Sequence, residues 1–291
     1  MATAISVDAN AVEAARRFYA EEIRFTGNLR REEVVQAFAR VPRERFLGRP
    51  PWRVLSQDGS YRTVPGSDPR DVYHNVLFAI DERRKLNNGQ PSFVGHLVDE
   101  SGARAGHHVV HVGCGTGYYS AILAELVGDR GSVTAIEIDE DLAPRARVNL
   151  APWSQVDVKH ADGTLYDPGA ADVFLVNAGT THPLPLWLDR LLPGGTLIVP
   201  LTVDAPTHGA GQVLKVSYTP RGFAARFVSP VGIYRCVGGR DDEMNRRLAQ
   251  SYMRGNDALQ RVRSLRRDDH AAGASCWWHE EEFCLSTVAL D

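Results

Sequence analysis

Cysteine is scarce in this chain and carries no metal-binding spacing. Cys114, Cys236, Cys276 and Cys284 are scattered over 291 residues without a C-x-x-C pair, so neither a disulfide framework nor structural zinc nor any other metal is expected. Long apolar runs are missing too: none approaches the ~18–20 residues of a membrane span. The start, MATAISVDAN, has neither the basic residues nor the apolar stretch of a signal peptide. The expectation is therefore a cytoplasmic chain with no membrane association. Nor is there a surplus of positive charge. Lys and Arg total 33 against 36 Asp and Glu, a net charge of −3 with a pI near 6.4, and nucleic acid is not an expected partner. What is present, 43% hydrophobic residues without internal repeats, suits one large or two small cores.

The chain is organised around residues 106–139, GHHVVHVGCGTGYYSAILAELVGDRGSVTAIEID. Val109 to Val112 has the valine density of a strand buried on both faces, and Gly113, Gly115 and Gly117 follow without a gap. Tyr118 to Val127 places Tyr119, Ile122, Leu123 and Leu126 on one helical face. A second β-rich run, Val133 to Ile138, then carries Glu137 at its tip. The unit is βαβ with the physics of a nucleoside site: glycines let backbone approach a ligand, and a carboxylate at the next strand tip accepts from ribose hydroxyls. A dinucleotide site needs G-x-G-x-x-G/A, and Tyr118 stands where the third small residue belongs. The spacing here, G-x-G-x-G, resembles the first motif of class I S-adenosylmethionine-dependent methyltransferases. His111 stands two residues before the first glycine, where such strands usually carry an acid.

Upstream, Asn10 is placed to cap a helix over Ala11 to Arg24, and a second amphipathic helix spans Arg31 to Arg40. Val41-Pro-Arg-Glu-Arg-Phe46 follows, then an irregular stretch to Arg70 that reads as a loop on a substrate rim or a plain surface excursion. Asp71 to Ile80 alternates as a strand does, Asn87-Asn88-Gly89 reads as a turn, and a helix with Pro91 in its first turn runs to Gly102. Downstream, Leu142 to Asn149 reads as helix and Val156 to His160 as strand, followed by Asp162-Gly163. Asp172 to Asn177 is a buried strand, Pro183 to Leu192 a short helix, and Leu192-Pro-Gly-Gly195 a turn into the strand Thr196 to Pro200. Gly211 to Tyr218 and Ala224 to Val231 form a closing hairpin. Beyond Gly238, Asp241 or Asp242 caps a helix with Met244, Leu248 and Tyr252 on one face, and Leu259, Val262 and Leu265 resume that helical pattern after Gly255. Seven arginines between Arg246 and Arg267 read as a solvated face or as an anchor for an acidic partner. The end has strand character, with Trp277 and Trp278 packing on the core or stacking on a substrate. Three regions result: 1–70, helices and rim; 71–237, the cofactor-binding core; 238–291, a helical extension with a terminal strand.

Taken in order, Val41-Pro-Arg-Glu-Arg-Phe46, Gly89-Gln90 with His96, His111-Val-Gly-Cys-Gly-Thr-Gly-Tyr118, Asp162-Gly163 and Leu192-Pro-Gly-Gly195 resemble the protein-L-isoaspartate O-methyltransferases over roughly residues 10–236. The glycine loop is widespread; the VPRERF segment is more particular to this family. The resemblance implies an α/β fold with a Rossmann-like, doubly wound seven-stranded sheet, plus N-terminal helices and a C-terminal extension. It also implies S-adenosylmethionine as methyl donor and a carboxylate of a protein or peptide as acceptor. By the same resemblance Gly113, Gly115 and Gly117 surround the cofactor's amino-acid and ribose portions, with Cys114 and Tyr118 in the same turn; His111, a departure from the usual pattern, is near enough to bond the cofactor's amino group or simply packs. Glu137, followed by Ile138, would hold the ribose, Asp162 and Gly163 would meet the adenine, and Asn177 would complete the set.

The acceptor side departs from the family. The usual threonine, aliphatic residue and serine after Gly-Gln are here Pro91, Ser92 and Phe93. The expected hydroxyl is displaced by one position, with phenylalanine in its place, which favours a relative with a different acceptor, such as an aspartate in a modified peptide. Ser92, Gln90 and Thr180 (or Thr181) are the candidates to orient the acceptor. Methyl transfer from a sulfonium needs alignment, and a carboxylate is ionised at neutral pH without a base. A methyltransferase of a small molecule or RNA would need a base such as His74 or His182, and Asn177-Ala-Gly-Thr does not match the Asn/Asp-Pro-Pro-aromatic motif of amino-group methyltransferases. A third reading is a non-catalytic cofactor-binding or scaffold member built around the arginine-bearing extension. Oligomeric state has no signal in the sequence.

Overall fold

Asp8, rather than Asn10, caps the first helix. Its carboxylate accepts from the Asn10 N–H at 3.0 Å, and α1 runs Ala9–Thr26, burying Val12, Tyr19, Ala20 and Ile23. The computed structural model describes residues 8–205 and 209–290, so the first seven residues of the stretch read for a leader lie outside the described residues. α2 (Glu32–Arg40) buries Val34, Val35, Ala37 and Phe38. Both helices lie on the central unit through an aromatic cluster in which Phe38 and Phe46 meet Tyr118, with centroids 6.2 and 5.5 Å apart.

The stretch expected to be irregular contains a hairpin. β1 (Arg53–Leu55) pairs antiparallel with β2 (Tyr61–Thr63), held down by buried Trp52, Val54 and Val64. Conversely, the strand expected over 71–80 does not form. Residues Pro69–Val72 make a turn of 3-10 helix, and apart from a single bridge between Phe78 and Val54 the pairing is that of β3 (Ala79–Asp81) with β4 (Leu86–Asn87). The carbonyls of Val72, His74 and Val76 have another partner, the guanidinium of Arg43, at 2.5–2.7 Å. Alternating burial in this segment comes from a loop wrapped on an arginine and not from a ladder. α3 (Pro91–Ser101) follows as expected and ends at Gly102 in the left-handed region, φ 70°.

The core follows the expected order: β5 (His108–Val112), α4 (Tyr118–Val127), β6 (Ser132–Glu137), α5 (Leu142–Leu150), β7 (Val156–His160), β8 (Ala171–Val176), α6 (Pro185–Asp189), β9 (Leu191–Asp204), β10 (Gly209–Thr219) and β11 (Gly222–Ile233). Strands β5 to β9 pair in parallel; β9, β10 and β11 pair antiparallel. The chain winds β5, β6, β7 to one side and returns with β8 on the other side of β5. The carboxyl ends of β5 and β8 therefore form the switch point at which open α/β sheets bind ligands.

The sheet does not stop at seven strands. After α7 (Asp242–Tyr252) and α8 (Asn256–Leu259), β12 (Ser264–Arg266), β13 (Cys276–His279) and β14 (Cys284–Ser286) extend it to ten, in the order β13-β14-β12-β11-β10-β9-β8-β5-β6-β7. The helix expected through Leu259, Val262 and Leu265 ends at Leu259. All three side chains are buried, but Leu265 lies in a strand paired with Phe223 of β11, where an open sheet edge offers backbone partners that a continued helix would leave unused. Trp277 and Trp278 take the packing role, each 2% exposed. Most of the extension's arginines are used within the chain: Arg246 and Arg247 pair with Glu243, Arg254 donates to Cys276 and Trp277 carbonyls, Arg266 pairs with Asp268, and Arg267 with Asp189.

Candidate active site

A cavity of about 750 Å³ opens at the switch point. Its inner end is the turn after β5 and the tip of β6. Gly113 and Gly115 have φ of 75° and 58°, a backbone that side chains strain to adopt. A Cβ on Gly115 would meet nothing nearer than Ile80 Cδ1 at 3.9 Å, so that face of the turn is open to the cavity; one on Gly113 would lie 3.5 Å from the Asn177 backbone at the tip of β8. Gly117 has a different task. It opens α4 at φ 97°, and a Cβ there would come within 2.7 Å of Leu150, so its lack of a side chain seats α5 against the turn.

Glu137 accepts from Gly115 N–H at 2.6 Å and Asp139 N–H at 3.1 Å. Burial raises its pKa, and those backbone donors act in the opposite sense. Ile138, 41% exposed, and Asp162 and Gly163 line the adjoining wall. One oxygen of Asp162 takes the N–H and hydroxyl of Thr164; Gly163 lies flat on Val112, where a Cβ would clash at 2.6 Å.

Beneath the turn, His111 is fully buried. Ser120 Oγ lies 2.8 Å from its Nδ1, and Asn177 Nδ2 donates to its Nε2 at 2.9 Å. Burial pushes its pKa down to about 3, so the ring is neutral and acts as a strut between α4 and the tip of β8. Asn177 lines the cavity, and its Oδ1 is a buried acceptor with no partner. A glycine turn open to the cavity, a carboxylate facing the same space and an orphaned amide acceptor fit the hydroxyl and ammonium donors of S-adenosylmethionine.

The outer end was not visible in the sequence. β1, β2 and β3–β4 supply Leu55, Tyr61, Ile80 and Lys85, and the chain after β11 supplies Tyr234 and Arg235. Tyr234 fastens the two sides: its hydroxyl accepts from Asn87 Nδ2 at 2.7 Å and donates to the Lys85 carbonyl. Gln90 and Phe93 line this end, whereas Ser92 and Thr180 do not. Ser92 Oγ accepts from Asn75 Nδ2 at 3.0 Å, and the same Asn75 receives the Ser92 N–H and the Gln90 amide. Thr180 is buried with its hydroxyl on the Pro200 carbonyl at 3.3 Å, and Thr181 is bound to His182 and to the Asp241 N–H. These hydroxyls shape the walls from behind. Of the residues assigned to the cofactor, His111 and Gly117 likewise stand behind the surface.

A parallel sheet reversed at β5/β8, an open glycine turn and a carboxylate at the tip of the next strand are the features of an S-adenosylmethionine-dependent methyltransferase. The comparisons carry this further: the family model described as "Protein-L-isoaspartate(D-aspartate) O-methyltransferase (PCMT)" matches residues 17–217, and the chain belongs to that family. Among its relatives, the protein-L-isoaspartate O-methyltransferase of Ignicoccus hospitalis is 30% identical over 209 residues, covering 70% of this chain and 89% of the relative. That of Rhodopseudomonas palustris is 30% identical over 205 residues, covering 67% and 83%. A solved protein-L-isoaspartate O-methyltransferase shares the fold at a TM-score of 0.58 and 19% identity, over 82% of this chain and 69% of that one. So does a Plasmodium falciparum structure titled as a family member in complex with S-adenosyl-L-homocysteine, at a TM-score of 0.58 and 14% identity, over 76% and 97%. The match to the family model ends within β10, so β11 and the three added strands lie beyond it.

Proposed function

We propose that the protein transfers the methyl group of S-adenosylmethionine to a side-chain carboxylate of a peptide or protein, at an isoaspartyl or aspartyl residue. The observation that carries this is the composition of the cavity's outer end. Lys85 and Arg235 line it, Arg235 also pairing with Asp204, and among the described residues no histidine lines the cavity. Positive charge attracts a carboxylate, and a carboxylate already ionised at neutral pH needs no proton removed. Both His74 and His182, the bases a neutral acceptor would call for, are absent from the cavity wall, and burial lowers the pKa of His182.

S-adenosylmethionine, when bound, supplies an electrophilic methyl on a sulfonium. The protein's part is to hold and align. Gly113 to Thr116 and Asn177 receive the amino-acid portion, Glu137 fixes the ribose, and Ile138 with Asp162 borders the adenine. Gln90, held by Asn75, and Phe93 face the acceptor. The hydrogen bonds of Tyr234 to Asn87 and Lys85 join the two sides of the cavity and hold its wall in place for alignment.

Phe93 favours a second reading within the same chemistry. It occupies the wall where the family resemblance calls for a serine hydroxyl, and the hydroxyl of Ser92 is turned to Asn75. An apolar wall suits an acceptor positioned by its flanking peptide, which points to an aspartate of a dedicated partner in place of a general isoaspartyl repair substrate. Labelled S-adenosylmethionine offered with matched isoaspartyl and aspartyl peptides, scored as base-labile methyl ester, separates the two. Ester on the isoaspartyl peptide supports repair. No ester on either, with cofactor binding intact, supports the dedicated acceptor, and ester-free transfer to a neutral group would overturn both.

A further inference from the structure

The extension brings together four side chains that no part of the methyl-transfer site uses. His270, Cys276, His279 and Cys284 each present a ligand atom, and all four atoms lie within 4.8 Å of one another. Their sequence pattern, H-x5-C-x2-H-x4-C, has none of the paired spacings by which zinc sites are recognised. A β-bulge makes the cluster. In a regular strand Cys276 and His279, an odd number of residues apart, would face opposite sides of the sheet. The register slips between Cys276 and Trp278, so that Cys276 pairs with Ser286, Trp278 with Leu285 and His279 with Cys284. The extra residue turns Cys276 and His279 to the same face and sets Cys284 directly across from His279. Meanwhile both tryptophans of the bulge enter the core, Trp277 against Phe227 and Tyr252 and Trp278 against Phe283.

The surroundings are those of ligands. His270 Nδ1 donates to the Asp268 carbonyl at 2.8 Å, which leaves the lone pair on Nε2, 3.8 Å from Cys276 Sγ. This is the outer-shell arrangement by which a backbone carbonyl fixes the tautomer of a metal-bound imidazole. Gly273 N–H donates to Cys276 Sγ at 3.4 Å. His279 Nδ1 is buried with no hydrogen-bond partner, and the two imidazole rings stand edge to face, centroids 4.8 Å apart.

We infer that His270, Cys276, His279 and Cys284 form a structural zinc site. Two thiolates and two imidazoles in a closed set suit tetrahedral zinc, and leave no position for a water or substrate. With Zn–S near 2.3 Å and Zn–N near 2.0–2.1 Å the four donor atoms of such a site are spaced about 3.3–3.8 Å apart, so closure from the observed spread is a movement of about 1 Å. The ion replaces the two thiol protons, which leave to solvent, and two thiolates balance its charge. It would lock a hairpin whose strands have only four and three residues, together with the loop carrying His270, onto the outer edge of the sheet. Short edge strands of this size have little stability of their own.

The test is metal analysis of the full-length protein by mass spectrometry, with thiol counting after denaturation and the spectrum of the cobalt(II)-substituted form. Expected are one zinc per chain, four free thiols once it is chelated, a lower melting temperature after chelation that added zinc restores, and thiolate-to-cobalt charge-transfer bands with intense tetrahedral d–d absorption. Cys284→Ser and His279→Ala should lose the metal, while Cys236→Ser retains it. Should either ligand variant fail to fold, the cobalt spectrum of the unmutated chain decides. A metal-free protein with four reactive thiols and no response to zinc would overturn the inference, as would a disulfide between Cys276 and Cys284.

Discussion

Replacing Arg43 by methionine should loosen the cavity's outer wall while leaving the cofactor end standing. Arg43 is fully buried. It has no carboxylate partner among the described residues; its charge is met by the carbonyls of Val72, His74 and Val76 at 2.6, 2.5 and 2.7 Å and by the faces of Tyr19 and Phe78, 5.4 and 5.1 Å from its guanidinium carbon. Methionine fills most of the volume but donates nothing, so the buried Val72 carbonyl and the half-buried Val76 carbonyl lose this partner, while that of His74 keeps the Val76 N–H at 2.8 Å. At about 1–3 kcal/mol for each unsatisfied buried group, with part recovered by water reaching the half-buried Val76 carbonyl, the expected cost is about 2–4 kcal/mol, a large share of the ~5–15 kcal/mol that holds a typical domain together. The loss falls first on residues 72–80, the segment that carries Asn75 to Gln90 and Ser92 and Ile80 to the cavity. Denaturant titration should show the lowered midpoint, hydrogen exchange should show faster opening of residues 72–80 before the β5–α4 unit, and the KM for acceptor should rise more than the affinity for cofactor falls. Arg43→Lys, with three donors but no planar fork, should fall between. A methionine variant with unchanged midpoint, unchanged exchange at 72–80 and unchanged KM would refute the role assigned to Arg43.

Other outcomes follow from the same structure. His111 is held neutral, its pKa lowered from 6.5 to about 3 by burial, so the unfolded chain takes up a proton that the folded chain refuses; stability should be level above pH 6.5 and fall on acidification toward pH 3, by up to about 1.4 kcal/mol per pH unit. His111→Gln, which can still bridge Ser120 and Asn177, should flatten that slope in denaturation series taken across the window, and an unchanged slope would count against a neutral buried ring. Glu137 has a raised pKa in the free protein, whereas ribose hydroxyls bind its ionised form; cofactor affinity should be constant at neutral pH and weaken by about tenfold per pH unit below that raised pKa, because binding must then expel one proton. Glu137→Gln should bind more weakly at neutral pH and lose this dependence, as calorimetry would show. Tyr234→Phe removes the links to Asn87 and Lys85, which at about 0.5–1.5 kcal/mol each should lower the melting temperature by a few degrees, speed hydrogen exchange over residues 82–89 and raise the acceptor KM; equal exchange in both proteins would remove these links from the account.

The sequence by itself determined the central unit and the donor. The run from Val109 to Glu137 is a local object: strand, turn, helix and strand follow within 29 residues, and G-x-G-x-G with a carboxylate at the next strand tip constrains the backbone whatever surrounds it. Family membership was legible in the same way, since VPRERF, the glycine loop and Asp162-Gly163 are contiguous strings. What only the tertiary structure decided depends on residues far apart in the chain. Val41-Pro-Arg-Glu-Arg-Phe46 gave no hint that Arg43 would take the carbonyls of a loop 29 to 33 positions on, and without that arginine Asp71 to Ile80 keeps the pattern of a strand. The mouth is closed by Tyr234 on Asn87, 147 positions apart. Ser92 and Phe93 are neighbours, and which of them lines the cavity goes with Asn75, which holds both the hydroxyl and the N–H of Ser92. In the extension, Leu259, Val262 and Leu265 have helical spacing, but the free edge of β11 drew the last of them into a strand, and one bulge at Trp277 aligned Cys276 and His279 beside Cys284, with His270 brought to them by the preceding loop. Periodicity reports which side chains are buried; hydrogen-bond partners across the fold decide what the backbone does with them.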